Sequence, residues 1–177
     1  IQTSSGSGTI TLGQSGETIA FGSGVTSKMN QPAFEAYLSA NQSSTDNTYI
    51  KMQIDTELYD TDSCYDNTTN YRFTPTVAGK YFVYCQGRTD AGTNNTGAAT
   101  TGIFKNGSQI AHGTFQKFNT AVVEDYTAYE GHVVDMNGTT DYVEAFSFCN
   151  DTSGDPTIIG DSTRKFTFFG AYRIGVE

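Results

Sequence analysis

The chain of 177 residues carries a formal net charge of −9, and its ten Lys and Arg residues are scattered along the sequence. Phosphate backbones and anionic membrane surfaces are bound by clustered basic residues, so we expect neither a nucleic-acid partner nor membrane binding. No apolar run approaches the 18 residues of a membrane-spanning helix, so membrane insertion is not expected either. Twelve Phe, eleven Tyr and a charged fraction of 16% favour β structure, because aromatic residues suit the half-buried surface of a sheet.

Residues 1–28 form a segment in which Gly and Ser separate short alternating stretches. Ile10 and Leu12 are two apart, as are Ile19 and Phe21, which is the period of a β-strand. Strands of about four residues bury too little surface to be stable alone. We therefore predict a glycine-rich β stem that packs on neighbouring copies or on the rest of the chain, with a flexible linker as the alternative. Because the chain begins within this pattern, we expect it to be a fragment of a longer protein.

From residue 31 onward, short strand patterns alternate with turn signals. Strands are predicted over residues 33–38, 49–58, 80–86, 101–105, 109–112, 122–129, 132–135, 142–149 and 165–174. The pair Asn106-Gly107 separates two of these strands and is the strongest short hairpin signal. Strands of this number and spacing predict an all-β fold of about ten strands, a β-sandwich or a jelly roll, as a head domain over residues 29–177.

Three motifs occur in an order that resembles a known family. Residues 71–84, YRFTPTVAGKYFVY, resemble the F-x-P-x-x-x-G-x-Y-x-F-x-Y core strand of the C1q-like branch of the C1q/TNF jelly-roll superfamily. Residues 104–107, FKNG, resemble its L-x-K-N-G hairpin, and residues 166–172, FTFFGAY, resemble its closing T-F-S-G-F strand. The resemblance covers about residues 33–176 and implies a C1q/TNF-like jelly roll that assembles as a homotrimer.

The chain also departs from that family. Its Gly-Asp-x-Val element is present only loosely, as TDYV at residues 140–143, and a β-type stem stands where the animal proteins have a collagen stalk. In that stem, residues 12–19, LGQSGETI, resemble the LGxSGxTI-type repeats of trimeric phage fibres. These features together imply a viral or bacterial relative, on a virion surface or extracellular.

The residues themselves also support a trimer. Alternate side chains of residues 80–86 point to opposite faces, and both sets are apolar. One set can fill the sandwich core, but the other would form an exposed aromatic patch on a monomer. Residues 166–169 repeat this pattern. We predict that four aromatic side chains on the second face form the trimer interface, with cover by a loop or by the stem as the alternative: Phe82, Tyr84, Phe166 and Phe168.

Candidates for chemistry are few. The carboxylates of Asp60, Asp62 and Asp66 are close enough in sequence to suggest Ca²⁺, but the Gly and Glu of an EF-hand loop are missing, which favours a solvated turn. The two histidines lie outside any nucleophile signature, and the three cysteines include no CxxC pair. We therefore predict no catalytic residue, no cofactor and no enzymatic activity; a glycan depolymerase with paired carboxylates is the alternative.

Aromatic and polar residues concentrate in two predicted loops, which are where ligands usually bind on a rigid scaffold. The candidates are Tyr59, Tyr65, Asn67 and Tyr71 in one loop, and Arg88, Asp90 and Asn94 in the other. Rings stack on sugars while amides and carboxylates bind hydroxyls, so a glycan is a suitable ligand; ordinary loop residues are the alternative. We predict a non-enzymatic trimeric head of a virion fibre that adheres to a host-surface glycan or protein receptor. A capsid decoration protein that serves assembly and a bacterial adhesin are the other options.

Overall fold

The computed structural model describes residues 31–92, 96–118 and 123–175, so the predicted stem and Asn94 lie outside the described residues. The described chain forms fourteen β-strands and no helix, and hence no helix long and apolar enough to cross a membrane. The strands are β1 (Ala33–Tyr37), β2 (Gln42–Ser43), β3 (Thr48–Lys51), β4 (Thr56–Asp60), β5 (Tyr65–Asp66), β6 (Arg72–Phe73), β7 (Gly79–Asp90), β8 (Thr96–Lys105), β9 (Ser108–His112), β10 (Gln116–Lys117), β11 (Asp125–Met136), β12 (Val143–Asp151), β13 (Thr157–Ile158) and β14 (Phe168–Gly175).

The strands form two antiparallel sheets that pack face to face. The front sheet is centred on β7, which pairs with β11 on one side and with β14 and β13 on the other; β1 and β4 continue beyond β14, and β2 pairs with β13. The back sheet is centred on β8 and β12, with β9 and β10 on the β8 side and β3, β6 and β5 on the β12 side. The strand count exceeds the predicted ten because five of the strands have only two residues.

The hydrophobic core lies between the two sheets. Along β7 the predicted alternation is confirmed: Tyr81, Val83 and Cys85 have no exposed surface, whereas the side chains between them face outward. Rings from three other strands fill the same layer, with Phe34 stacked 4.7 Å from Phe73 and edge-on to Phe169 at 5.0 Å. One set of alternate residues therefore supplies the sandwich core, as the apolar pattern of residues 80–86 requires.

The hairpin prediction is confirmed in detail. Lys105 pairs with Ser108, which leaves Asn106 and Gly107 as a two-residue loop with φ of +51° and +79°. Positive φ at both positions is the signature of the type I′ turn, whose twist matches that of the flanking strands. The signal is reliable because Asn and Gly are the residues that tolerate this conformation best.

Several predicted strand boundaries are wrong. Residues 49–58 are two strands rather than one: β3 belongs to the back sheet and β4 to the front sheet. Between them Met52 and Ile54 are buried, and the Met52 N–H donates to the Ala145 carbonyl at 2.9 Å. The alternation is real because inward side chains of this crossing segment fill the core, but periodicity does not reveal a change of sheet.

Two further predictions need correction in the same way. Residues 122–129 and 132–135 were separated by a predicted break, yet β11 is continuous through Gly131, which pairs with Tyr84. Gly131, opposite the large Tyr84 ring, is therefore a packing feature and not a strand end.

The closing strand begins at Phe168 rather than at residue 165. Lys165 has a φ of +50° and ends a turn before the strand.

Candidate functional site

The outward side of the front sheet carries a set of aromatic and aliphatic side chains that we call the aromatic face. Its members come from β4, β7, β11 and β14: Tyr59, Phe82, Tyr84, Tyr129, Val133, Phe168 and Tyr172. Residues that pair across antiparallel strands point to the same side of a sheet. Phe82 pairs with Val133 on one flank and with Tyr172 on the other, so these three side chains share the outward side.

Four of these rings form a cluster at the centre of the aromatic face. Phe82 lies 5.9 Å from Tyr84 and 5.7 Å from Tyr172, and Tyr84 lies 6.3 Å from Phe168, measured between ring centroids. All four rings are half-buried, because the rings and the sheet backbone cover one side of each. Around them Tyr59, Tyr129 and Val133 are 44%, 49% and 47% exposed. Contiguous apolar surface that is exposed on a single chain is typical of interaction sites, so the aromatic face is a candidate for one.

Two glycines let the rings lie flat on the sheet. Tyr84 pairs with Gly170 on one side and with Gly131 on the other. A Cβ at Gly170 would overlap the Tyr84 ring, and one at Gly131 would lie 2.8 Å from the Phe82 Cζ. The absence of side chains at these two positions therefore shapes the aromatic face as a low, broad surface.

One carboxylate lies within the aromatic face. The Tyr84 hydroxyl donates to Glu35 Oε2 at 2.6 Å, a short charge-assisted hydrogen bond. Burial raises the pKa of the Tyr84 hydroxyl well above its usual range, and the hydrogen bond and charge of Glu35 raise it further. Burial also raises the pKa of Tyr59, with a second contribution from the Glu35 charge. Both hydroxyls thus stay protonated at neutral pH, and that of Tyr84 donates to this carboxylate.

Charged residues of β7 lie at the two ends of the aromatic face. At one end Lys80 forms an ion pair with Asp135 at 2.7 Å, and at the other end Arg88 forms a bidentate pair with Asp125. An apolar centre with charges at its margin is the arrangement found at protein–protein interfaces.

Of the four predicted interface residues, three lie together as expected, in the ring cluster, namely Phe82, Tyr84 and Phe168. The fourth, Phe166, precedes β14, and the Arg88 guanidinium lies 4.2 Å from its ring centroid. Phe166 is therefore at the margin of the aromatic face and not in its centre. Whether any of the four contacts another chain stays a prediction.

Four residues of the aromatic face were not among the predicted interface residues: Tyr172, Tyr129, Val133 and Glu35. Tyr172 could have been found, since it is two and four residues from Gly170 and Phe168 and shares their strand period. Glu35 also gave a signal, because it is the one charged residue of the apolar stretch 33–38. Tyr129 and Val133 could not be assigned, since the strand that carries both was divided in the prediction.

A second aromatic cluster lies on the outward side of the back sheet. It contains Tyr49, Phe104, Phe146 and Phe148, with Phe104 4.1 Å from Phe146 and Tyr49 5.1 Å from Phe148. Next to it, on the same side, Lys51 forms an ion pair with Glu144 at 2.6 Å. Here an ion pair adjoins the rings. On the aromatic face the ion pairs lie at the margin, and the one carboxylate among the rings, Glu35, accepts the Tyr84 hydroxyl. The front sheet is therefore the better candidate for an interface between copies.

The predicted ligand-binding residues do not form one site. Tyr65 is only 6% exposed and its hydroxyl donates to the Ile54 carbonyl, so it belongs to the core and the expectation that it contacts a ligand is withdrawn. Tyr59 belongs to the aromatic face, and Asn67 Nδ2 donates to the Asp55 carbonyl at 3.2 Å. Tyr71 lies beside a cleft, described below, that also includes Asp55.

The second predicted loop lies at the far end of β7. Arg88 is engaged by Asp125 and Phe166, as described above. The Asp90 carboxylate accepts a hydrogen bond from the Gly92 N–H at 2.6 Å, which is a local turn contact. These partners leave Arg88 and Asp90 at the margin of the aromatic face rather than in a separate pocket.

The acidic residues considered for Ca²⁺ accept hydrogen bonds from within their own loop. Asp60 accepts the Tyr65 N–H at 2.8 Å, and Asp66 accepts the N–H groups of Thr69 and Thr68 at 2.9 and 3.1 Å. These backbone bonds, led by Thr69, hold the pKa of Asp66 well below its usual range. Asp62 accepts the Thr61 hydroxyl. Within the described residues, no group of three or more His, Cys, Asp or Glu is arranged to hold a metal ion.

The three cysteines, Cys64, Cys85 and Cys149, are buried and free. Burial raises the pKa of the Cys85 thiol to about 12 and that of Cys149 to about 11. A thiol with so high a pKa is protonated at neutral pH and is a poor nucleophile. These residues are therefore packing residues of the core.

The fold is similar to that of several solved structures. A TNF protein, Eiger, from S. frugiperda matches with a TM-score of 0.57 and 11% identity over 82% of this chain and 93% of that chain. The globular domain of zebrafish complement 1qA matches with a TM-score of 0.56 and 14% identity over 83% and 100%, and murine APRIL at pH 8.0 with 0.52 and 10% over 80% and 98%. The predicted C1q/TNF-like jelly-roll fold is thereby confirmed. No protein-family model and no curated protein matches the sequence.

Proposed function

We propose that the protein is the non-enzymatic, homotrimeric head of a virion fibre, which adheres to a ligand on the host surface. The observation that carries the proposal is the aromatic face, whose central rings are half-buried while three of its outer side chains are 44–49% exposed on a single chain. Burying the remaining surface of each of those three would contribute on the order of 1 kcal/mol. Threefold association through the front sheet would supply this burial for every copy at once.

The polar parts of the aromatic face are compatible with burial between chains. The Glu35 carboxylate already accepts the Tyr84 hydroxyl, and the ion pairs of Lys80 and Arg88 lie at the margin, where they stay hydrated. An unpaired carboxylate would oppose association, because removing a charge from water costs several kcal/mol unless it is hydrogen-bonded. This arrangement favours an interface between copies of the chain rather than an open ligand-binding surface.

The adhesive role rests on the C1q/TNF-like fold together with the stem-like sequence of residues 1–28. A trimer presents three copies of every loop, and threefold presentation amplifies weak single-site binding. The negative net charge of −9 and the scattered basic residues argue for a ligand other than nucleic acid.

The experiment is a binding assay with the fluorescently labelled full chain on panels of bacterial and eukaryotic cells and on purified viral capsids. Saturable binding to one cell type, competed by unlabelled protein, is the expected result. Stoichiometric retention on capsids without binding to any cell would instead indicate a decoration protein. Absence of both would refute the adhesive function. A loss of viscosity on mixing with polysaccharide would refute the non-enzymatic assignment.

A further inference from the structure

A polar cleft of about 530 Å³ lies where the chain crosses between the two sheets. One wall is the segment that follows β1, and the other is the crossing segment between β3 and β4. Tyr71, in the loop before β6, lies at the cleft as its only aromatic lining residue. The cleft shares no lining residue with the aromatic face.

The backbone of Tyr71 has an uncommon conformation. Its φ is +50°, in the left-handed region that bulky residues rarely adopt. Among the described residues four other non-glycine residues share this conformation, and Tyr71 is the one aromatic residue of the five. Strained backbone of this kind concentrates at binding and catalytic sites. Here it directs a half-buried ring to the cleft.

Hydrogen bonds from side chains to backbone hold the walls in place. Gln42 joins both walls, since its Nε2 donates to the Lys51 carbonyl at 2.8 Å and its Oε1 accepts the Gln53 N–H at 2.8 Å. Asn41 Oδ1 accepts the Gly160 N–H at 3.1 Å and so fixes the outer end of the first wall. A cleft whose walls are already fixed loses little conformational entropy when it binds a ligand.

Other polar groups of the cleft have no such partner. Within the described part of the chain, no hydrogen bond engages the Gln53 side-chain amide, the Ser43 hydroxyl, the Tyr71 hydroxyl or Asn41 Nδ2. Together they offer donors and acceptors around one aromatic ring. A ligand that is flat and apolar on one side and rich in hydroxyls at its edge matches this set, and a pyranose ring has both properties.

The charge of the cleft narrows the class of sugar. Asp55 is the one acidic residue of its lining, and no Lys or Arg lines it. Ser39 donates to both oxygens of that carboxylate, from its N–H at 2.9 Å and from its hydroxyl at 2.7 Å, so the carboxylate is held in a fixed orientation. An acidic sugar would be repelled by this carboxylate and by the chain's net charge of −9, and the lining of the cleft has no cation to offset that repulsion.

We propose that this cleft binds a neutral saccharide, stacked on Tyr71 and hydrogen-bonded by Gln53, Ser43 and Asp55. The inference rests on the proposed attachment function and names the ligand class and the site. It requires no contact between chains, because all of these residues belong to one protomer.

The test uses the full chain on an array of immobilised oligosaccharides built from hexoses and N-acetylhexosamines, beside sialylated and sulfated forms of the same chains. We expect binding to neutral members and at least severalfold weaker binding to their acidic forms. The affinity for the best neutral oligosaccharide is then measured for Tyr71→Asn, Gln53→Ala and a control, Phe115→Asn. Asn tolerates the left-handed backbone of position 71, so this variant removes the ring without adding strain. Phe115 is 46% exposed in the segment between β9 and β10 and does not line the cleft.

Loss of one stacked ring should weaken binding about tenfold or more in Tyr71→Asn, and loss of the amide should weaken it severalfold in Gln53→Ala, with Phe115→Asn unchanged. Unfolding by urea is measured for each variant, which separates loss of the site from loss of the fold. Preference for acidic oligosaccharides, or full affinity in Tyr71→Asn, would overturn the proposal. Binding of the labelled chain to cells without binding to any saccharide would overturn the cleft proposal but not the attachment function. If the chain bound neither cells nor saccharides, both proposals would be refuted.

Discussion

Replacing Gly170 by Ala tests whether the rings of the aromatic face pack on the sheet as described. An added Cβ at Gly170 would overlap the Tyr84 ring and hydroxyl, so the ring must tilt away from the backbone and from Glu35. Overpacking costs about 1–3 kcal/mol, and a hydrogen bond to a charged group contributes about 1.5–3 kcal/mol. Because the half-exposed ring can tilt towards solvent and relieve part of the overlap, we expect a total loss of about 2 kcal/mol.

Gly175 provides a matched control in the same strand, since an added Cβ there meets no atom within 4 Å. Gly175→Ala should therefore be neutral or slightly stabilising, as Ala restricts the unfolded chain more than Gly does. The free energy of unfolding is measured in urea at one fixed protein concentration by tyrosine fluorescence, which is accessible because the chain has no Trp. A loss of 2 kcal/mol corresponds to a fall in Tm of about 4–8 °C for a chain of this size.

A double-mutant cycle identifies Tyr84 as the cause. In a Tyr84→Ala background the added methyl group has no ring to displace, so Gly170→Ala should cost close to nothing, with a coupling energy of about 2 kcal/mol. The reasoning is refuted if Gly170→Ala is as stable as Gly175→Ala. It is equally refuted if the loss is the same with and without the Tyr84 ring.

Three further predictions concern assembly, acid stability and the thiols. Phe82→Lys places a charge in the centre of the aromatic face and should reduce the solution mass to that of one chain in light scattering, whereas Phe115→Lys should keep the mass of the unmodified protein; an unchanged mass for both would contradict the interface. Asp66→Ala should cost about 1 kcal/mol at pH 7, because its backbone N–H groups lose their acceptor, and Asp62→Ala is the control. Since folding lowers the pKa of Asp66, its contribution to stability is present above about pH 5 and is lost as the pH falls through 4 and below. The difference in free energy of unfolding between the unmodified protein and Asp66→Ala, measured in urea, should therefore be smaller at pH 3 than at pH 7. The same difference at both pH values would contradict this. With a pKa of about 12, the fully buried Cys85 should not react with Ellman's reagent at pH 8 until urea unfolds the chain, and rapid reaction in the folded protein would contradict its burial.

The sequence predicted those parts of the fold that depend on local chemistry. The Asn106-Gly107 hairpin followed from residues that tolerate positive φ, and the two faces of β7 followed from a period of two. Both signals lie in neighbouring residues, so they can be recognised without knowledge of the rest of the chain. The motifs around residues 71–84 added the fold class, which local chemistry alone left as a sandwich or jelly roll.

Features that depend on distant partners could not be predicted. The change of sheet at residues 52–55 depends on strand pairing: β3 pairs with β12, far along the sequence, with Met52 continuing that pairing to Ala145, whereas β4 pairs with β1. Gly131 reads as a strand break until it is placed opposite Tyr84. Tyr65 has the composition of a binding-loop residue, yet its ring stacks 4.4 Å from Phe34 in the core. In each case the deciding contact spans tens of residues, which no window of the sequence contains.

The proposed function requires that the aromatic face of the front sheet is covered by further copies of the same chain. Multi-angle light scattering of the full chain at micromolar concentration determines whether it is. We expect a particle of three times the 19.1 kDa of one chain, stable on dilution to the lowest detectable concentration. A mass of one chain throughout that range would contradict it.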